Sequence, residues 1–117
     1  MGLDMYLSAG KLYEKAYWRK SNAIHRWFVV NCQDGVDDCG LYFVTRDQIE
    51  ELSGLCQRVK NQPKLAPTLL PTQSGFFFGD TEYGEAYFSD IDTTIEQLTK
   101  TLDDIDEDWV ITYQSSW

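Results

Sequence analysis

The sequence predicts an α+β domain: a small, mostly antiparallel sheet of three or four strands with about three helices packed on it. Three observations point there. Apolar residues alternate with period two near both ends of the chain, in "GLDMYLS" and "DWVITYQ". Helix-period apolar stripes fill much of the sequence between them, most clearly in "TRDQIEELSGLCQRVKN" and from Ile91 to Ile105. The 117 residues form one domain, 1–117, without repeats or linkers, so helices and strands must share a single core.

In order along the chain, Leu3, Met5 and Leu7 alternate against Asp4 and Tyr6, a half-buried first strand that Gly10 ends. From about Tyr13 to Val30 the pattern reads as a helix. Ala16, Ala23, Trp27 and Val30 share one sector of its wheel, with Tyr17, Ile24 and Phe28 on the next. "NCQDGVDDCG" is a loop with Asp-Gly as its turn signal, and Leu41 to Val44 adds a short strand. Thr45 with Gln48 forms a capping box for the second helix, whose inner face is Ile49, Leu52, Cys56 and Val59. "QPKLAPTLLPTQSG" holds all three prolines and is a loop, packed by Leu65, Leu69 and Leu70. Phe76 to Phe78 read as a strand bracketed by Gly75 and Gly79. Ser89 or Asp90 caps a third helix with the stripe Ile91, Ile95, Leu98, Leu102 and Ile105, and "DWVITYQ" is the last strand.

The net charge of −9 is confined to the second half. Residues 1–60 hold eight basic and eight acidic side chains, whereas residues 61–117 hold two and eleven. That balance excludes duplex nucleic acid as a partner for the whole surface, since phosphate contacts need a basic face. A local exception is the group Lys11, Lys15, Arg19, Lys20 and Arg26, which could serve a small anion. No apolar run has the length of a membrane span, and "MGLDMYL" lacks the features of a signal peptide. Three cysteines without CxxC spacing fit a reducing, cytoplasmic compartment.

Aromatic content is high, 15%, and its excess in Trp and Tyr asks for polar partners. On the wheel of the first predicted helix, Trp18, Asn22 and His25 fall in one sector flanked by Arg19 and Arg26. Together they suit a planar, anionic ligand: Trp stacks, Arg takes a phosphate or carboxylate, and Asn reads a base-like edge. Thr72, Gln73, Phe77, Glu82 and Tyr83 surround the aromatic run "GFFFG" with donors and acceptors and complete the candidate ligand site. The competing account of both groups is structural: a polar helix margin with a satisfied histidine, and a core strand with a polar hairpin.

Catalysis and metal binding find less support. His25 is the only histidine, and a Cys39–His25 pair would set its thiolate beside Asp37 and Asp38. The gaps between His25, Cys32, Cys39 and Cys56 match no common zinc knuckle. An EF-hand loop counted from Asp104 has Trp109 and Ser115 where glycine and glutamate are required. Neither a P-loop, a dinucleotide fingerprint nor a nucleophile elbow occurs. No catalytic residue, metal or cofactor is therefore assigned.

The stretches "MGLDMYL", "AYWRKSNAIHRWFV", "DGVDDCG", "LLPTQSGFFFGDTEY" and "YQSSW" resemble a family of small bacteriophage and prophage proteins, a group with no established catalytic residues. The resemblance covers essentially the full length. It implies the host-cell cytoplasm and a role against host defence. Among such roles, sequestering a small, anionic, nucleotide-like immune signal suits the aromatic and polar candidates best. The alternatives are an acidic inhibitor of a basic, nucleic-acid-binding host protein (a DNA mimic) and, third, an enzyme that degrades a signal. A homodimer would deepen an otherwise shallow pocket.

Overall fold

The structure, a computed structural model, describes residues 2–10, 13–75 and 78–117. Its strands are β1 (Asp4–Ala9), β2 (Tyr13–Arg19), β3 (Leu41–Val44) and β4 (Ile111–Ser116). Its helices are α1 (Asn22–Cys32), α2 (Arg46–Asn61), a short α3 (Ala66–Leu69) and α4 (Glu85–Asp104). The strands form one antiparallel sheet in the order β2-β1-β4-β3, an α+β fold as the sequence predicts.

β1 is central. Leu3, Met5, Leu7 and Ala9 point into the core, while Tyr6 and Ser8 take the other face. β4 inserts between β1 and β3, pairing Asp4 with Ser116 and Ala9 with Ile111, so the two ends of the chain close the sheet against each other. The helices cover the inner face. Phe28 of α1 stacks on Tyr113 of β4 at 3.9 Å and 9° between ring planes, and both rings are fully buried.

The helix expected over Tyr13 to Val30 is corrected. Its first third is β2, which makes a hairpin with β1, and α1 starts only at Asn22. Two periodicities coexist in this stretch. Ala16 and Trp18 fit a helical wheel, but they also alternate with Tyr17, and as a strand they bury against Leu7 and Met5, their register partners. Gly10, at φ 64, turns the chain into the hairpin, and the Lys20 amide donates to Leu3 O at 2.8 Å to close its open end.

α2 carries the predicted capping box: Gln48 N donates to Thr45 Oγ1 at 3.1 Å, and Thr45 N donates to Gln48 Oε1 at 2.8 Å. Ile49, Leu52, Cys56 and Val59 are all buried on its inner face. α4 begins at Glu85, one turn before the expected cap, because Tyr87 is a core residue whose hydroxyl donates to Leu70 O at 2.7 Å. Ile91, Leu98 and Ile105 are buried as predicted, and Ile95 and Leu102 are half-buried. The same helix also buries Thr94 and Thr101, each bonded at 2.7 Å to the carbonyl four residues earlier.

The strand expected at Phe76 to Phe78 is also corrected at its described end. Phe78 lies in a turn closed by its amide on Gly75 O at 3.1 Å, while Phe76 and Phe77 lie outside the described residues. The Phe78 ring folds back over Gly75, where an added Cβ would sit 2.8 Å from it. That ring meets His25 edge-on at 5.4 Å, so the residue serves the core without joining the sheet.

Candidate functional site

Between β2 and α1 the chain reverses in two residues. Lys20 adopts φ 54 and Ser21 holds the N-cap position of α1. The Ser21 side chain makes no capping bond, so the first-turn amides of Asn22, Ala23 and Ile24 have no side-chain acceptor. These residues open on a cleft of about 200 Å³. Its other walls are the loop carrying Thr72, Gly79, Asp80 and Glu82, and the first two turns of α4 through Tyr87 and Asp90.

Gly79 explains how the loop comes so close. It has φ 85, and a Cβ there would lie 3.2 Å from the Lys20 Cβ, so glycine is needed both for its backbone and for the approach of the lysine stem. Asn22 holds the loop down. Its Nδ2 donates to Phe78 O at 3.1 Å and Asp80 O at 2.8 Å, and its Oδ1 accepts from Gln73 N at 3.0 Å.

The cleft carries charge of both signs. Arg19 and Lys20 line it and have no ion-pair partner among the described residues. Asp80, Glu82 and Asp90 line it as well. Burial holds the Asp90 carboxyl above the usual carboxylate range, and the facing Ser21 hydroxyl offsets this only in part. Among the described residues Ser21 Oγ, although buried, makes no hydrogen bond of full geometry. A buried hydroxyl without a partner and an incompletely compensated carboxylate both cost the folded protein stability. Because the folded value of Asp90 is raised, its contribution to stability is present below about pH 3.8 and is lost as pH rises through that folded value. Asp90→Asn is therefore expected to raise the melting temperature at pH 7 and to change it less at pH 3, measured by calorimetry.

The ten candidate residues separate into groups. Arg19, Asn22, Thr72 and Glu82 line this cleft. Tyr83 stands next to it, its hydroxyl accepting from Thr72 N at 3.2 Å, while Thr72 Oγ1 donates to Thr81 O at 3.0 Å. Trp18 is buried in the core and its indole N–H donates to Thr94 Oγ1 at 2.9 Å. His25, Arg26 and Gln73 line a separate cavity of about 260 Å³ at α1, with Asp37. Phe77 lies outside the described residues. The basic group disperses likewise: Lys15 pairs with Asp104 at 3.4 Å, Lys11 is not described, and only Arg19 and Lys20 reach the cleft.

His25 is fully buried between two partners. Its Nδ1 lies 2.6 Å from the Tyr113 hydroxyl and its Nε2 lies 3.0 Å from Asp37 Oδ1, which also accepts the Trp117 indole N–H at 3.1 Å. Burial lowers its pKa, with Asp37 opposing, so the ring is neutral near pH 7. A neutral imidazole has one N–H, which the carboxylate takes; Tyr113 then donates to Nδ1. Both ring nitrogens of His25, the Tyr113 hydroxyl and Asp37 Oδ1 are thereby engaged, and Tyr113 has no exposure to solvent. Burial pushes the Cys32 and Cys56 thiols up to about 12, far from reactive thiolates.

Sequence reading missed Ser21 and Asp80 and placed Asp90 as a helix cap, whereas Gly79, bracketing the phenylalanine run, was a position where close backbone approach or positive φ is expected. The available signal was "KSN" at residues 20–22, a serine-asparagine pair of the kind that starts helices. Among the described residues no group of three His, Cys, Asp or Glu side chains converges as a metal ion would require, and no helix is long and apolar enough to cross a membrane. Compared with family models, curated proteins and solved structures, the chain has no match.

Proposed function

We propose that this chain binds and sequesters a small, nucleotide-like ligand in the cleft between β2, α1, the 72–82 loop and α4. The observation that carries the reading is the uncapped start of α1, where the buried Ser21 hydroxyl has no hydrogen-bond partner among the described residues, beside a cleft lined by two cations that likewise have no ion-pair partner among those residues. An acidic group of the ligand lies toward Arg19, Lys20 and the α1 amides, where charge and the helix dipole both favour it. The opposite end carries hydrogen-bond donors, as the amino edge of a nucleobase does, and meets Asp90 and Glu82. A cleft of about 200 Å³ is below the ~300–1,000 Å³ of drug-sized sites, so it accommodates part of a nucleotide and leaves the rest over the rim.

Binding is favoured over turnover because the one histidine is engaged with Asp37 and Tyr113 and does not line the cleft. With the resemblance to bacteriophage proteins, the reading becomes capture of an immune signal in the host cytoplasm. The second reading is an acidic inhibitor of a basic host protein. It rests on the exposed run Asp103, Asp104, Asp106, Glu107 and Asp108, where α4 ends.

The test is calorimetry and thermal shift of the purified protein with mononucleotides, cyclic nucleotides and ADP-ribose derivatives. A bound ligand raises the melting temperature by mass action. Lys20→Gln is expected to weaken that ligand at least tenfold while leaving the fold intact, and heat should release the ligand unaltered. An altered product would make the protein an enzyme. Absence of any retained nucleotide, with a stoichiometric host partner lost on charge reversal at 103–108, would establish the inhibitor reading in its place.

A further inference from the structure

The sheet has helices on one face only. Its outer face carries Tyr6 and Ser8 of β1, Glu14 and Tyr17 of β2, Thr112 and Gln114 of β4, and Leu41 and Phe43 of β3, by register and alternation. Phe43 is 75% exposed and Leu41 55%, values unusual for large apolar side chains placed side by side on one strand. Next to them lies a shallow groove between Tyr6, Ser8, Glu14, Leu41, Thr112 and Gln114, with a volume of about 340 Å³. Thr112 forms its floor, only 5% exposed although it points outward. A projecting ring and a depression of similar scale thus share one face.

Charge is segregated against this face. At the outward register positions the charged residues are Asp4, Glu14 and Arg19, which sum to −1, against −9 for the chain. The remaining −8 is carried elsewhere, much of it on α4 and the segment after it, in the helical layer behind the sheet. Asp4 is also engaged, accepting the Tyr17 hydroxyl at 2.6 Å.

We propose that the outer face of the sheet pairs two copies of this chain about a two-fold axis, Phe43 of each copy seating in the other's groove. A second copy suits this face better than a basic protein, which would be drawn to the acidic helical layer. Face-to-face pairing turns both acidic layers outward and brings the two nearly neutral faces together, so a chain of high net charge meets itself at little electrostatic cost. The knob and the groove are offset on one surface, which is what an isologous contact needs. Strand spacing and rise give the face roughly 400 Å² in plan, short of the about 800 Å² per partner of a standard interface. The dimer is therefore concentration-dependent, dissociating in the micromolar range. Arg19 lies at a rim shared with the ligand cleft, whereas Leu41 and Phe43 lie on β3 at the opposite edge of the sheet, so variants there test the dimer separately from the proposed function.

Sedimentation velocity of the full chain from about 1 to 500 μM tests this. Wild type is expected to pass from its 13.6 kDa monomer to a species of twice that mass. Phe43→Asp and Leu41→Lys, both at exposed positions, should remain monomeric throughout with unchanged circular dichroism and melting temperature. A wild type that is monomeric at every concentration overturns the proposal, and so does a Phe43→Asp variant that dimerises equally well. A monomer that instead binds a host protein through Phe43 would assign the face to that partner and refute self-association.

Discussion

Replacing His25 by alanine is expected to lower unfolding stability by about 3–4 kcal/mol, in denaturant titrations at pH 7. Two losses add. A ring-sized void opens beside Phe78 and Tyr113, and the Tyr113 hydroxyl, fully buried, loses its only acceptor among the described residues. His25→Phe separates them. It keeps most of the volume but strands the hydroxyl, at about 1–3 kcal/mol. Adding Tyr113→Phe removes the stranded group, so the double variant should be more stable than His25→Phe alone. Asp37 suffers less in all three, because it is partly exposed and keeps its bond from Trp117. Failure of the double variant to recover stability would show that packing, with no contribution from the hydrogen bond, accounts for the loss.

The same residue sets a pH dependence. Its folded pKa lies below the ordinary value of 6.5, so the unfolded chain takes up the proton more readily. Stability from this source is complete above about pH 6.5 and is lost as pH falls through the lowered folded value. Protonation would place an N–H opposite the Tyr113 oxygen and leave the tyrosine proton without its present acceptor. His25→Phe should flatten this part of the stability–pH curve.

The second large effect is expected at Asn22. Asn22→Ala should cost about 2–3 kcal/mol and abolish the ligand retention proposed above. The side chain is buried, and its three bonds go to backbone groups of Gln73, Phe78 and Asp80. Without them the loop that forms one wall of the cleft is held to α1 mainly by the packing of the Phe78 ring on His25. Hydrogen exchange is the discriminating measurement: the Gln73 amide should lose protection first, with the sheet amides of β1 and β4 little changed. Uniform loss across the sheet would mean that Asn22 supports the whole core and has no special claim on the loop. Asn22→Asp keeps the acceptor for Gln73 N but loses both donors, so it should rescue only part of the protection.

Much of the fold was legible in the sequence wherever structure follows from residues close in the chain. The capping box at Thr45 and Gln48, the inner face of α2, most of the α4 stripe and the alternation of the first and last strands each depend on spacing alone. The candidate site was less legible. Arg19, Asn22, Thr72 and Glu82 do meet at one cleft, but Trp18 and His25, equally suited to a ligand by residue type, direct their polar atoms at Thr94, Asp37 and Tyr113. Residue type reports that a side chain needs a partner and leaves open whether protein or ligand provides it.

By itself, then, the sequence determined the α+β class, the capped second helix, the acidic second half and the surplus of rings with polar ends. Tertiary structure decided the rest. Tyr13 to Arg19 satisfies a helical wheel and a strand alternation at once, and only the open edge of β1, which offers hydrogen bonds and a place for Ala16 and Trp18, selects the strand. The cleft is likewise assembled from segments more than fifty residues apart, so which polar groups end up without partners depends on how those segments close on one another.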